Sequence, residues 1–407
     1  MSNVLSNLNP GSLWQIFEEI CNVPHPSKHE KMLADYVLAF AAKHGIESQV
    51  DTVGNVILRK PATAGKENLK GIILQAHLDM VPQKNSDTNH DFEKDSIKPQ
   101  IDGEWVKATG TTLGADNAIG MAAAMAVMAD KTIEHGPLEC LFTVDEETGM
   151  TGAFGLKAGL FKGDILMNLD SEDEGELYVG CAGGTNANLK FRYTEEAVPA
   201  DSIALSLVVK GLKGGHSGVD IALERGNANK IMNRLLWFGI KNCNLRLASI
   251  NGGSLRNAIP RESFAVVTLP KQHEAAFVAF AKELAAIVIA EYKGVETDIA
   301  IEATSTAAPA FVIDAKTTTA LINAVYATPN GVMRMSQDMQ GLVETSTNLA
   351  IVKSYEKQID VMCLLRSSVD SAKDDLEKMI SSVYELAGAE VVLDGKYPGW
   401  KPNMDSP

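Results

Sequence analysis

Three short apolar runs in the first half of the chain each close on polar residues of the kind that bind metals. No other feature constrains the fold as much. Residues 71–81 read GIILQAHLDMV; the apolar beginning suits a strand buried on both faces, and its end carries His77 and Asp79. Leu138 to Val144 runs into Asp145, Glu146 and Glu147, and Ile165 to Leu169 runs into Asp170. Asp116 stands just before an Ala- and Met-rich helix expected over Asn117 to Ala129. Two helices precede these elements. The second is expected to open with a Ser27–Glu30 capping box and to close at Lys43, His44 and Gly45, with a strand pair following around Ser48 to Lys60. Strands alternating with helices predict an α/β fold with a mostly parallel sheet. In open sheets of that kind, ligands bind at the carboxyl ends of the strands.

The edge so formed would gather one imidazole and several carboxylates. Crowded carboxylates raise one another's pKa, and a divalent cation removes that problem. Mixed His nitrogen and Asp/Glu oxygen suits zinc, with manganese and cobalt as alternatives. Residues two apart on a strand share a face, so Asp79 is placed to hold the second ring N–H of a metal-bound His77. Each feature has a blander reading. A strand-end His is more often a hydrogen-bonded structural residue, and three adjacent acids are usually a solvated loop. It is their joint placement that favours a metal site. His25, His29, His44, His90, His135 and His273 lack such context and read as loop or helix-surface residues.

The texture changes near CAGGT, Cys181 to Thr185. Beyond it the pattern is α+β, with alternating strands at Ser202–Val209 and Ser263–Leu269 and helices near Asn227–Phe238 and His273–Tyr292. The expected organisation is a catalytic-type α/β domain over 1–185, an inserted domain over 186–395, and a return to the first domain over 396–407, beginning at YPGW. Acidic residues outnumber basic ones 52 to 37, a formal charge of −15, which argues against nucleic acid or an anionic membrane as main partner. The apolar run Ala118 to Ala129 is too short to span a bilayer. The start shows no signal-peptide pattern. The five cysteines are scattered and form no CxxC pair, which fits reduced thiols in a cytoplasmic protein. No GxGxxG or P-loop follows an early strand, which sets a nucleotide enzyme aside.

The stretches LQAHLDMVP, TTLGADNAIGMAAAMA, DEETGMTGAFGL, NLDSEDEGELYVGCAGG and GLKGGHSGVDI resemble the M20 metallopeptidase family, in particular its aminoacyl-histidine dipeptidases. The resemblance runs in order along essentially the whole chain. It implies a zinc-peptidase α/β domain interrupted by a smaller lid, two zinc ions per site, and hydrolysis of dipeptides, with Xaa-His among the substrates. It implies His77 and Asp170 as ligands of one zinc, Asp116 as the carboxylate bridging both, and Glu147 as a ligand of the second. Glu146 would be the general base, with Asp79 behind His77. A ligated carboxylate cannot easily shuttle a proton, so two adjacent glutamates with different duties are chemically reasonable. His216, in the glycine-rich GLKGGHSG turn, is implied as the oxyanion stabiliser. Asn257 in SLRNAIP and Arg366 in CLLRSS are implied as holders of the substrate's free carboxylate, a task suited to an Arg fork. Residues alone would make Asn257 a turn residue and Arg366 a surface arginine. The family analogy also implies a homodimer.

The sequence departs from the family's pattern at its end. The family has one more late histidine, a ligand of the second zinc, and none follows His273 here. Asp405, Ser406 and Pro407 read as the start of a helix. The expectation is therefore that the last catalytic segment is absent, that the second metal binds poorly, and that apolar sheet surface is left exposed. Two other readings stand beside dipeptide hydrolysis. One is an M20 amidohydrolase or aminoacylase acting on N-acyl amino acids; the other is a catalytically incomplete binding protein, against which the retained Glu146 argues.

Overall fold

The computed structural model describes residues 4–84, 87–171, 175–176, 178–403 and 405. The expected helix start at Ser406 and Pro407, and part of the NLDSEDEGELYVG stretch, lie outside the described residues. The chain divides into two compact units, residues 1–177 and 178–407.

The first unit runs α1 (Gly11–Cys21), α2 (Lys31–His44), β1 (Glu47–Val50), β2 (Val56–Lys60), β3 (Ile72–His77), β4 (Pro99–Asp102), β5 (Trp105–Ala108), α3 (Ala115–Ala129), β6 (Leu138–Thr143), α4 (Glu146–Gly149), α5 (Thr151–Phe154) and β7 (Ile165–Asn168). Its main sheet has the order β1-β2-β6-β3-β7. The expectation of a mostly parallel sheet needs qualification. β3 pairs in parallel with β6 and β7, but β2 runs against both β1 and β6. A short link, residues 51–55, joins β1 and β2 as a hairpin, and a link that short permits only antiparallel pairing. α2 buries Leu33, Val37, Phe40 and Ala41, one stripe at helical spacing, and ends at a left-handed Gly45.

α3 is buried nearly all round because it lies between α1 and the sheet, in a core that includes Phe17, Leu74, Met121, Met125 and Phe142. Ile57, Ile73 and Leu141 pack on the other face against Leu156, Leu160 and Phe161. The edge strand β7 leaves Ile165, Leu166 and Met167 exposed.

The Ser27–Glu30 capping box does not form. Glu30 occupies the N-cap position of α2 with a helical backbone and no side-chain cap bond, because its carboxylate is bonded elsewhere. His25, expected near the surface, is buried, its Nδ1 2.5 Å from Val23 O and its backbone bonded to Met80.

The second unit continues with β8 (Gly183–Arg192), β9 (Glu195–Glu196), β10 (Ser202–Lys210), β11 (Gly215–His216), α6 (Ala228–Cys243), β12 (Arg246–Gly252), β13 (Ala258–Ile259), β14 (Ser263–Pro270), α7 (Glu274–Glu291), β15 (Ala300–Ser305), β16 (Val312–Ile313), α8 (Ala315–Ala327), β17 (Gly331–Met335), β18 (Val343–Tyr355), β19 (Gln358–Ser367), α9 (Asp370–Leu386) and β20 (Glu390–Tyr397). An antiparallel sheet of order β15-β10-β14-β12-β18-β19-β8-β20, with β17 added on β18, shares one apolar core with α6 to α9. Period-2 burial along β8 and β10 supplies the sheet's inner face; the alternation at Ser202–Val209 predicts it for β10. No helix among the described residues is long and apolar enough to cross a membrane.

Candidate metal centre and associated residues

β3 delivers its last residue, His77, to the carboxyl end of the first unit's sheet, fully buried. His77 Nε2 lies 2.9 Å from Asp116 Oδ1 and 3.5 Å from Asp170 Oδ1. On the other side of the ring, Nδ1 is 2.9 Å from Asp79 O and 3.4 Å from Asp79 Oδ1. One ring nitrogen thus faces two carboxylates and the other is held by the buried Asp79, as the strand spacing predicts.

Asp116 comes from the entry to α3. Its backbone and that of Asn117 are not helical, and the peptide bond joining them is cis, so the regular helix starts after them. Asp170 follows β7 and can come this close because residue 120 of α3 is glycine. A Cβ there would overlap Asn117 Oδ1 and lie 2.8 Å from Leu169 O.

Glu146 and Glu147 open the one-turn helix α4 after Asp145, whose φ of 52° and ψ of 49° turn the chain sharply off β6. Asp79 reaches this turn as well. Its Oδ1 accepts from Glu146 N at 2.9 Å and its Oδ2 from Glu147 N at 3.2 Å. His77, Asp116 and Asp170 each offer an atom within 4.8 Å of the others, and so do His77, Glu146 and Glu147. The four carboxylates expected from strand ends and one helix start therefore meet around the His77 imidazole.

The electrostatics show what this convergence demands. Burial alone would lower the His77 imidazole, but Asp116, Asp170 and Asp79 hold it up at about 12. Burial pushes Glu147 up to about 7, aided by Asp116, and also raises Glu146. Although burial opposes it, His77 together with the Glu146 amide and Ser27 draws Asp79 down to about 2. The cluster needs positive charge in its middle. A proton on His77 is one solution; a divalent cation bound by the same nitrogen and oxygens is the other. The donor set fits such a cation, with nitrogen and carboxylate oxygens in reach and a second carboxylate fixing the imidazole's far side.

In the second unit, His216 ends β11 on a glycine turn. Gly215 has φ 142°, and a Cβ there would lie 2.6 Å from Asp220 Oδ2. His216 Nδ1 accepts from Gly218 N at 3.3 Å and Val219 N at 3.2 Å, which puts the neutral ring's proton on Nε2. Burial, then Arg366, lowers the His216 pKa, so the ring is a neutral donor near pH 7. Arg366, on β19, lies beside this turn and has its Nη1 3.3 Å from Tyr397 Oη. It lines a cavity of about 310 Å3 with Gly218, Val219 and Ser346. Asn257 has an exposed side chain, and its carbonyl accepts from Ser217 N at 2.8 Å. The structure thus gathers His216, Arg366 and Asn257 around one turn.

The model of Peptidase family M20/M25/M40 matches residues 73–384. The chain belongs to this family. Among its M20 relatives, the cytosol non-specific dipeptidase of Escherichia coli (strain K12) is 49% identical over 403 residues, covering 99% of this chain and 83% of the relative. The crystal structure of aminoacylhistidine dipeptidase from Vibrio alginolyticus superimposes with a TM-score of 0.89 at 52% identity, covering 99% of this chain and 82% of that one.

Within this M20 chain, local sequence pattern marks the strand-end residues that come together at His77. It misses Tyr397 beside Arg366 and the contacts of Ser27 and Glu30 with the Asp79 and Asp145 segments. The Ser27–Glu30 spacing was visible but pointed to a helix cap.

Proposed function

We propose that this M20 peptidase is a cytoplasmic dipeptidase that hydrolyses dipeptides, Xaa-His among them, at a site holding two zinc ions, with manganese or cobalt as substitutes. The names of its two relatives support dipeptide substrates and, for one of them, the aminoacyl-histidine class. The observation that carries the reading is the meeting of His77, Asp116, Asp170, Glu146 and Glu147. His77, Asp116 and Asp170 would hold one cation; the second would have only Asp116 and Glu147 from this chain and would be held weakly. When bound, such cations polarise the scissile carbonyl and acidify water.

The chain's own residues do the rest. Glu146, raised by burial, takes the proton of the attacking water and returns it to the leaving amine. Asp79 keeps His77 in one orientation. His216 donates Nε2–H to the developing oxyanion, and Arg366 with Asn257 receives the substrate's carboxylate. The insertion of a lid over 186–395 into an α/β domain resumed at 396–407, and a homodimer, belong to the same reading.

The test is a panel of dipeptides, including Xaa-His, set against N-acetyl amino acids, with purified protein loaded with Zn2+ or Mn2+. Turnover of the dipeptides, abolished by chelation, is expected. Exclusive turnover of the N-acetyl amino acids would replace this reading with an amidohydrolase.

A further inference from the structure

The connection between α1 and α2 is pressed against the two segments that carry the metal-type side chains. Pro26 and Met80 form an isolated parallel bridge, Met80 N donates to His25 O at 3.2 Å, and Ser27 N donates to Met80 O at 3.2 Å. The Ser27 hydroxyl donates to Met80 O as well, at 3.4 Å. Three residues on, Glu30 is only 7% exposed and makes no cap bond to its own helix. Its Oε1 accepts from Lys28 N at 2.7 Å and, 115 residues along the chain, from Asp145 N at 3.1 Å.

Asp145 cannot fix its own backbone, because its carboxylate is taken by the hydroxyls of Thr148 and Thr151. Three consecutive amides, those of Asp145, Glu146 and Glu147, therefore donate to two buried carboxylates, Glu30 and Asp79. The backbone of 145–147 sets the directions in which the Glu146 and Glu147 side chains leave the chain. A carboxylate is costly to bury, and here hydrogen bonds to backbone amides offset that cost.

We propose that Glu30 is a positioning residue for the Glu146–Glu147 pair: by holding the Asp145 amide it locks the turn after β6, and so sets where the base and the metal-binding carboxylate point. This rests on the roles read above for Glu146 and Glu147, but the locking itself is measurable without them.

Amide hydrogen exchange of the metal-free protein tests it. Glu30→Ala is expected to accelerate exchange at 145–147 by roughly tenfold or more relative to the rest of the first unit. Glu30→Gln, which keeps an acceptor oxygen, should restore most of the protection. Leu33→Ala, a buried cavity on the same helix that leaves the Glu30 carboxylate in place, should raise exchange without singling out 145–147. Glu30→Met, similar in length but lacking the carboxylate, is the variant read if the alanine one does not fold. In parallel, Mn2+ titration should show weaker binding to Glu30→Ala than to Glu30→Gln, and dipeptide hydrolysis should show a fall in kcat with KM held. Unaltered exchange at 145–147 in Glu30→Ala, or acceleration indistinguishable from that of Leu33→Ala, overturns the proposal. A wild-type protein without dipeptidase activity would remove the roles of Glu146 and Glu147, and the exchange result would still decide whether Glu30 holds the turn.

Discussion

The two units hold their candidate site residues by opposite means. In the first, the turn that carries Glu146 and Glu147 is braced by carboxylates distant in sequence. Asp79 holds His77 and the amides of Glu146 and Glu147, and Glu30 holds the amide of Asp145. In the second, His216 sits exposed on a glycine turn, and its ring is oriented by two amides only two and three residues away. The contrast follows from charge. Four carboxylates around one imidazole repel each other and drift apart unless the fold over-determines their positions. A single neutral imidazole meets no such repulsion, and a local turn suffices.

Variants can break this comparison. The largest effect is expected from Glu146→Gln, which removes the proposed base and leaves the braces intact: kcat should fall by about 100- to 10,000-fold with metal content unchanged. Loss of metal together with activity would show that Glu146 is a ligand instead. His216→Ala should lower kcat by about 100- to 1,000-fold, again with metal content and melting temperature held, since the turn's backbone bonds do not need the ring. A large drop in melting temperature would contradict the locally built turn.

Asp79→Asn should cost about 10- to 100-fold in metal affinity, read by competition with a chromophoric chelator. It should also lower thermal stability, because one buried residue there serves three partners. Unchanged affinity would mean that the bracing of His77 is dispensable.

The smallest effect concerns pH. The Glu147 carboxyl sits at about 7 in the fold against an ordinary value of 4.5. Folding therefore favours its protonated form. That contribution is complete below the ordinary value and is lost as pH rises through about 7. The metal-free protein should melt at falling temperature across this window. With Zn2+ bound the trend should flatten, because the cation replaces the proton. Melting curves of both forms between these pH values check it. His216 in the second unit works the other way: its imidazole is lowered in the fold, so below the ordinary value of 6.5 the unfolded chain holds the extra proton and stability from this group rises with pH.

The metal-type residues were legible because each stands where a strong local pattern ends. An apolar run of strand length followed by His or acid marks a strand terminus, and α/β topology then places such termini on one edge. Arg366 and Asn257 carried no such mark. Each is a polar residue in an ordinary strand or turn, and only the resemblance singled them out. The β4–β5 hairpin went unread because its strands are four residues each, too short for an alternating pattern to stand out. Ser27 and Glu30 show the reverse error. The spacing was read correctly, and the local partner was the wrong one.

The sequence by itself determined the main helices and strands of the first unit's sheet, the end-of-strand placement of His77, Asp79, Glu146, Glu147 and Asp170, and the glycine turn that presents His216. These depend on periodicity and backbone freedom within a few residues. Only the tertiary structure decided that β2 opposes its neighbours, that Gly120 admits the Asp170 segment to α3, and that Glu30 serves a turn 115 residues away and not its own helix. Those outcomes are choices among partners for the same hydrogen-bonding group, and a buried carboxylate goes to whichever amides the packed core leaves unpaired.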